Sequence, residues 1–242
     1  MVRQLSAKQL FSGSIPLVAS NIKMPAHRKE LKIEGANLWY LVGLITSDGC
    51  LSSDGRHVDI TSEDQDFLQT IKDQLKLTSQ VCIKNKDFSN QAYRIQIANK
   101  GFYDFLLSIG LTQNKSLTLG GLKIPDKYFV DFLRGEIDGD GSIRSWIHPT
   151  NKRGQCSLRI YSGSKRFINW LSNTTEQLLK VSGKIHKNAV SVWVLKYGKM
   201  AAQEIVGHCY YKNCLGLGRK IKLAQECRDS YKGWTQSRTV FN

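Results

Sequence analysis

Two aspartates attract attention because each sits next to last in the same nine-residue pattern. The first stretch reads Leu41-Val42-Gly43-Leu44-Ile45-Thr46-Ser47-Asp48-Gly49, and the second Leu133-Arg134-Gly135-Glu136-Ile137-Asp138-Gly139-Asp140-Gly141. Leu, Gly, Ile, Asp and Gly recur at the same places in both. A repeat at such a spacing means two copies of one structural unit. Each stretch reads as a helix that stops at its terminal glycine, with Gly49 and Gly141 suited to the left-handed residue past a helix end. Asp48 and Asp140 then lie in a last turn, at the negative end of the helix dipole, where a cation is preferred. Two such acids brought together repel. A divalent metal relieves the repulsion, because carboxylate and backbone oxygens are the ligands a hard cation takes.

Asp-Gly is also a common turn dipeptide, which accounts for one copy but poorly for two matched ones. A calcium loop beginning at Asp138 fails, since its twelfth position is Pro149 where a Glu is needed. Small residues four apart, Gly43 with Ser47 and Gly135 with Gly139, form one ridge on each helix, so the two backbones can approach closely.

The elements that must position these helices are legible from periodicity. Val58 and Ile60 alternate with His57, Asp59 and Thr61; Val81 and Ile83 with Cys82, Lys84 and Lys86; Tyr93, Ile95 and Ile97 with Arg94 and Gln96. Such strands bury one face and leave the other polar. Between them Asp64 to Leu77 reads as a helix, with Phe67, Leu68, Ile71 and Leu75 at core spacing, and another runs from Phe102 to Ile109. The second half repeats the order. Ile143 lies in a strand with Arg144 and Trp146 on its other face, and Leu158 and Ile160 alternate with Ser157, Arg159 and Tyr161. Phe167 to Leu179 is amphipathic, Ile185 alternates with Lys184 and His186, Val190 to Lys196 is β-prone, and a last helix includes Met200 to Val206. The joint is Gly120-Gly121 to Pro125, a short linker with turn chemistry.

Both nine-residue stretches resemble the LAGLIDADG motif, and the chain is similar to single-chain, two-repeat LAGLIDADG homing endonucleases over roughly residues 37 to 225. Thr46 departs from the acid usual at the sixth position, and Asp138 keeps it. The resemblance implies an α+β fold of two pseudo-symmetric αββαββα repeats. Each carries a curved antiparallel sheet as a DNA-binding saddle, and the two pack through the motif helices. The chain then divides into a basic extension (1–36), a first repeat (37–121), a second repeat (122–228) and a tail (229–242). The resemblance further implies Asp48 and Asp140 as metal ligands, with the carbonyls of Ser47 and Gly139 beside them. Magnesium is the expected ion, with manganese able to substitute and calcium expected to bind without supporting cleavage. The implied activity is a staggered double-strand cut by hydrolysis at a long, asymmetric DNA site, performed by a functional monomer. A basic residue follows the last helix of each repeat in the family, and Lys115 and Lys220 occupy those places; as a catalytic group, a phosphate contact or a surface charge, either fits. Ser62 and Ser162 match a water-organising position and are also good helix N-caps, the preferred reading.

The outward sheet faces carry Asp59, Thr61, Lys84, Lys86, Arg94 and Gln96 in the first half, and Arg144, Arg159, Tyr161, Lys184, His186 and Trp193 in the second. A β-ribbon fits the DNA major groove, where Arg and Lys pair with guanine and Gln with adenine. The net charge of +15 over 242 residues agrees with a polyanionic partner. No apolar run reaches the ~20 residues that span a bilayer. The six cysteines include no C-x-x-C pair, His208, Cys209 and Cys214 lack a second ligand pair for zinc, and no secretory segment is evident, so reduced cysteines and an intracellular setting, in a cytoplasm or an organelle, are expected. Residues 1–36 suit a transit segment, a basic DNA-binding arm or an upstream read-through remnant equally. An RNA-binding maturase that assists intron splicing is the alternative on this scaffold, with intron RNA as partner. A regulator that has lost cleavage normally lacks the paired acids. Intein signatures are not evident, since Met1 is no nucleophile and no His-Asn pair closes the chain.

Overall fold

The computed structural model describes residues 31–84, 91–188 and 191–230. Helix α1 (Gly35–Asp48) is buried at every position from Leu38 to Thr46, and α4 (Phe129–Asp138) at every position but Val130. A helix buried on nearly all sides belongs in the middle of a protein, and these two pack on each other. The closeness rests on glycine. A Cβ on Gly43 would stand 2.1 Å from the carbonyl oxygen of Phe132, and one on Gly135 would stand 2.2 Å from that of Tyr40.

Each motif helix feeds a four-stranded antiparallel sheet. In the first repeat β1 (Gly49–Leu51), β2 (His57–Ser62), β3 (Val81–Ile83) and β4 (Tyr93–Ala98) take the order β1-β2-β4-β3. In the second, β5 (Gly141–Ile147), β6 (Gly154–Ser162), β7 (Lys184–Lys187) and β8 (Trp193–Tyr197) take the order β5-β6-β8-β7. Helices α2 (Gln65–Gln74) and α3 (Lys100–Ser108) belong to the first sheet, and α5 (Lys165–Leu179) and α6 (Lys199–Cys209) to the second. Val58, Ile60, Ile95 and Ile97, then Leu158, Ile160, Leu195 and Tyr197, form the buried side of each sheet. The expected α+β pair of repeats is the observed fold.

The details depart from expectation in four places. Gly49 (φ −96°, ψ 162°) is extended and Gly141 begins a strand; neither is left-handed. Their lack of a Cβ serves a close approach instead, since one would lie 2.6 Å from the Cα of Ile45 or Ile137 as the strand folds back along its helix. The N-caps of α2 and α5 are Asp64 and Ser164, while Ser62 and Ser162 each accept from the backbone N–H two residues on (3.1 Å in both), turning the chain before the cap. A further helix, α7 (Gly218–Asp229), follows the one expected to be last; it buries only Lys220, Ala224 and Cys227, too polar a set to show apolar periodicity. Finally, Cys156 of β6 and Cys227 of α7 pair as a disulfide, with Cα atoms 5.4 Å apart, whereas all cysteines were expected reduced; α7 packs against β6 and brings together residues 71 apart in the chain.

Ile33 is buried and Leu31 packs on the core, and α1 starts at Gly35.

Candidate active site

The glycine seam brings the C-terminal ends of α1 and α4 side by side. Asp48 is the last residue of α1, while α4 ends at Asp138 and Gly139 caps it, so Asp140 lies one step beyond. The two ends nearly touch: a Cβ on Gly139 would meet the Ser47 Oγ at 1.8 Å and the Asp48 Oδ2 at 3.1 Å. Both acids are exposed, at the mouth of the site rather than inside it. Surrounding protein still strips water from them. Partial burial and then the Asp140 charge push the Asp48 carboxyl up to about 6, with Lys220 and Lys115 opposing; burial likewise raises Asp140. Among the described residues no group of three or more His, Cys, Asp or Glu side chains could hold a metal ion. The two carboxylates and the nearby backbone oxygens form a donor set of the kind that suits a hard, partly hydrated ion.

The two sequence-predicted lysines reach this place from opposite repeats. Lys115, in the turn after α3, is buried and donates to the carbonyl of Gly49 at the end of α1. Lys220, in the first turn of α7, is buried at the end of α4 and donates to the carbonyls of Ile137, Asp138 (2.6 Å) and Gly139 (3.2 Å). A cation at a helix C-terminus offsets the dipole and satisfies free carbonyls. Neither lysine is a surface charge. Desolvation lowers the Lys115 ammonium, and it brings Lys220 down to about 8 against the pull of Asp138. The Gly139 carbonyl, expected beside a metal, thus already accepts from Lys220.

Asp138 is a structural acid. It is buried, and its carboxylate accepts from Tyr40 Oη (2.9 Å), Tyr210 Oη (2.7 Å) and the Leu217 N–H (2.8 Å). It thereby joins α1, α4 and the segment leading into α7. Thr46, its counterpart, turns its hydroxyl back to the Val42 carbonyl (2.7 Å). Arg134 is fully buried and donates to Leu215 O (2.8 Å), Cys209 O (2.9 Å) and Asp131 (2.9 Å), with its guanidinium 5.0 Å from the ring centres of both Tyr40 and Tyr211. An open cleft of about 750 Å³ runs from Asp48 along the first sheet, lined by Asp48, Thr61, Ser62, Asp64, Gly139 and Arg219 among others. Arg219 was not singled out from sequence; its only signal was adjacency to Lys220.

Register decides which residues share the outward faces. In the first sheet Asp59 pairs with Gln96 and Thr61 with Arg94, all opposite in parity to the buried Val58, Ile60, Ile95 and Ile97. Arg94 reaches Asp59 (3.9 Å), and Lys84 Nζ donates to Thr61 Oγ1 (3.2 Å), so these four form one polar surface with Gln96. Lys86 lies outside the described residues. In the second sheet Arg159 pairs with Lys196, Tyr161 with Val194 and Arg144 with Ser157, and Lys184 and His186 are outward on β7. Trp193 is the exception. It pairs with Ser162 and shares parity with the buried Leu195 and Tyr197, so it packs on the helix side, with Lys165 Nζ 4.8 Å from its ring centre.

Residues 36–110 match the model of the LAGLIDADG-like domain. No curated protein matches the chain. Among solved structures, the fold is similar to that of meganuclease I-SmaMI bound to uncleavable DNA, with TM-score 0.57 at 14% identity over 84% of this chain and 97% of that one. Mesophilic variants of the homing endonuclease I-DmoI give 0.52 at 19% identity over 78% and 97%. Full-length DUF199/WhiA from Thermatoga maritima gives 0.53 at 12% identity over 87% and 70%. The likeness to these structures is one of fold. The chain is a two-repeat LAGLIDADG-type fold, and its first repeat carries the family's sequence pattern as well. No helix among the described residues is long and apolar enough to cross a membrane.

Proposed function

We propose that the chain is a site-specific endonuclease acting on double-stranded DNA, hydrolysing one phosphodiester in each strand to leave a staggered cut. The observation that carries this reading is the convergence of Asp48 and Asp140 across the Gly43–Gly135 seam, with one buried lysine at each helix end. A protein that used this seam only for packing would gain nothing from two repelling carboxylates at its mouth. The paired acids, rather than the fold by itself, are what support cleavage.

Asp48 and Asp140, with the carbonyls of Ser47 and Gly139, are the groups that would hold magnesium, and manganese is a natural substitute given that I-DmoI has been crystallised with DNA and Mn; calcium is expected to bind without supporting the cut. Such an ion supplies an activated water and charge stabilisation at the scissile phosphate. The chain supplies the rest. Lys220 directs its N–H groups at three carbonyls, so it acts as a fixed positive charge beside the phosphate rather than a mobile base. Lys115 donates to one carbonyl, which leaves donor capacity for a phosphate oxygen. The outward residues Asp59, Thr61, Lys84, Arg94 and Gln96, and Arg144, Arg159, Tyr161, Lys184 and His186, would read the two halves of an asymmetric site. One chain holds both halves, so it would act as a monomer.

The test is incubation with a randomised duplex library and Mg²⁺, sequencing the cut ends, with Asp140→Asn as control. Staggered cuts at one long motif, absent in the variant, support the reading. Intact DNA across the library, with tight metal-independent binding to an intron RNA, replaces it with the maturase.

A further inference from the structure

The first hairpin of each sheet starts at the site and runs away from it, since Gly49 follows Asp48 and Gly141 follows Asp140. The two hairpins differ in reach. β1 and β2 pair at three positions, Gly49↔Ile60 to Leu51↔Val58, and Ser52 and His57 close the turn. β5 and β6 pair at seven, Gly141↔Ile160 to Ile147↔Gly154, and His148 and Arg153 close the turn. At ~3.4 Å per residue the four further pairs carry the second hairpin about 14 Å beyond the first.

This longer arm is held from behind. Helix α7 packs against β5 and β6, and the Cys156–Cys227 disulfide joins α7 to β6 within the added length. Lys199 Nζ, at the start of α6, donates to the carbonyls of Gly154 (2.6 Å) and Ser230 (3.2 Å). Between α3 and α4 the first repeat has no helix longer than a single turn among the described residues, so α7 has no counterpart there. The tips differ in charge as well. At the first, the Asp54 carboxylate accepts from the N–H groups of Arg56 (3.0 Å) and His57 (3.1 Å) and pairs with the His57 ring. At the second, Lys152 and Arg153 are exposed, with no acid from His148 to Gln155. On the added length Arg144, Trp146 and Gln155 are opposite in parity to the buried Ile143, Cys156 and Leu158, which puts them on the outward face. Trp146 lies across from Gln155 and is 44% exposed. Of these three, the proposed DNA-reading set includes Arg144 alone.

We propose that the β5–β6 arm extends the second half of the target by about four base pairs relative to the first, because strand and duplex both rise ~3.4 Å per unit, so that the cut lies off centre. Gln155, whose amide matches adenine, and Trp146, an apolar partner for a thymine methyl, face the base edges. Lys152 and Arg153 hold phosphates beyond them and fix the register. The support behind the arm orders it before DNA arrives, which lowers the cost of binding.

This inference rests on the reading of the sheets as DNA-binding faces of an endonuclease. A duplex is recovered by binding selection without magnesium, and its hydroxyl-radical footprint is compared with the cuts made once magnesium is added. The footprint is expected to run about four base pairs further from the cuts on one side than on the other. The double variant Lys152→Ala, Arg153→Ala is expected to lose protection at the far end of the longer side only, and to lower the salt slope of binding by about two. Gln155→Ala is expected to reduce base discrimination at the outer positions of that side about tenfold. A footprint centred on the cuts, or one whose far end neither variant alters, overturns the proposal and leaves the endonuclease standing. A duplex that is bound but never cut retires the endonuclease, and the one-sided loss of protection in the double variant then decides the arm. A chain that selects no duplex overturns both.

Discussion

The two motif helices occupy equivalent places yet solve the same problem with different chemistry. From Leu38 to Ile45 the buried stretch of α1 has no charged side chain, and its one polar group further on, Thr46, is satisfied within the helix. The buried stretch of α4 carries Asp131, Arg134, Glu136 and Asp138. The lesson is that the two helices stay alike where their backbones touch and diverge in the polar groups they bury beside that contact. Gly43 and Gly135 match because the seam has no room for a Cβ. One turn away, where side chains rather than backbone fill the space, α4 has become a polar hub that ties α1, the segment after α6 and α7 together through Asp138 and Arg134.

That contrast can be broken in order of size. Gly43→Ala and Gly135→Ala each place a carbon about 2 Å from an opposing backbone carbonyl, and both should cost more than about 4 kcal/mol in chemical denaturation. If either proves harmless, the two helices are not equal partners in the seam. Next, Arg134→Met leaves two backbone carbonyls without their donor and Asp131 with the Tyr211 hydroxyl but no cation, and should cost about 3–5 kcal/mol, whereas Val42→Ala at the matching position should cost about 1–2 kcal/mol. Equal costs would mean that the polar hub contributes nothing distinctive.

The site itself tests whether unlike helix ends do like work. Asp48→Asn and Asp140→Asn should each lower the cutting rate about 10²–10³-fold or more, although one acid ends its helix and the other lies beyond it; strand-resolved rates would show any inequality. Lys220 gives a pH signature. Its folded pKa of about 8 lies below the ordinary 10.5, so the unfolded chain holds more protons between those values. Stability should therefore rise with pH from 8 towards 10, and Lys220→Met should flatten the rise in thermal melts. The smallest effect concerns Asp48, whose carboxyl near 6 lies above the ordinary 3.8. Metal-free protein should lose stability as pH rises from about 4 to 6. Exposure and screening hold this below about 1 kcal/mol, and Asp48→Asn should remove it.

Much of this molecule was legible residue by residue. Strict alternation at Val58–Ile60, Ile95–Ile97 and Leu158–Ile160 assigned those strands and their buried faces. Trp193 was misplaced because Val190 to Lys196 is apolar at both parities, so nothing local pins the register, and a one-residue slip exchanges the faces. Helix α7 escaped notice because its buried positions are a lysine, an alanine and a cysteine. The disulfide between Cys156 and Cys227 depends on that helix and was hidden with it.

The sequence by itself determined the repeat, the glycines of the seam and the two acids, since each follows from residue type and short spacing alone. Only the tertiary structure decided who serves whom. It buried Asp138 among Tyr40, Tyr210 and Leu217, set Lys115 and Lys220 on opposing helix ends, and left Glu136 facing the seam. Local periodicity reports which face of an element is apolar. It carries no information on which distant residue that face will meet, and the charge of a buried group is settled by that meeting.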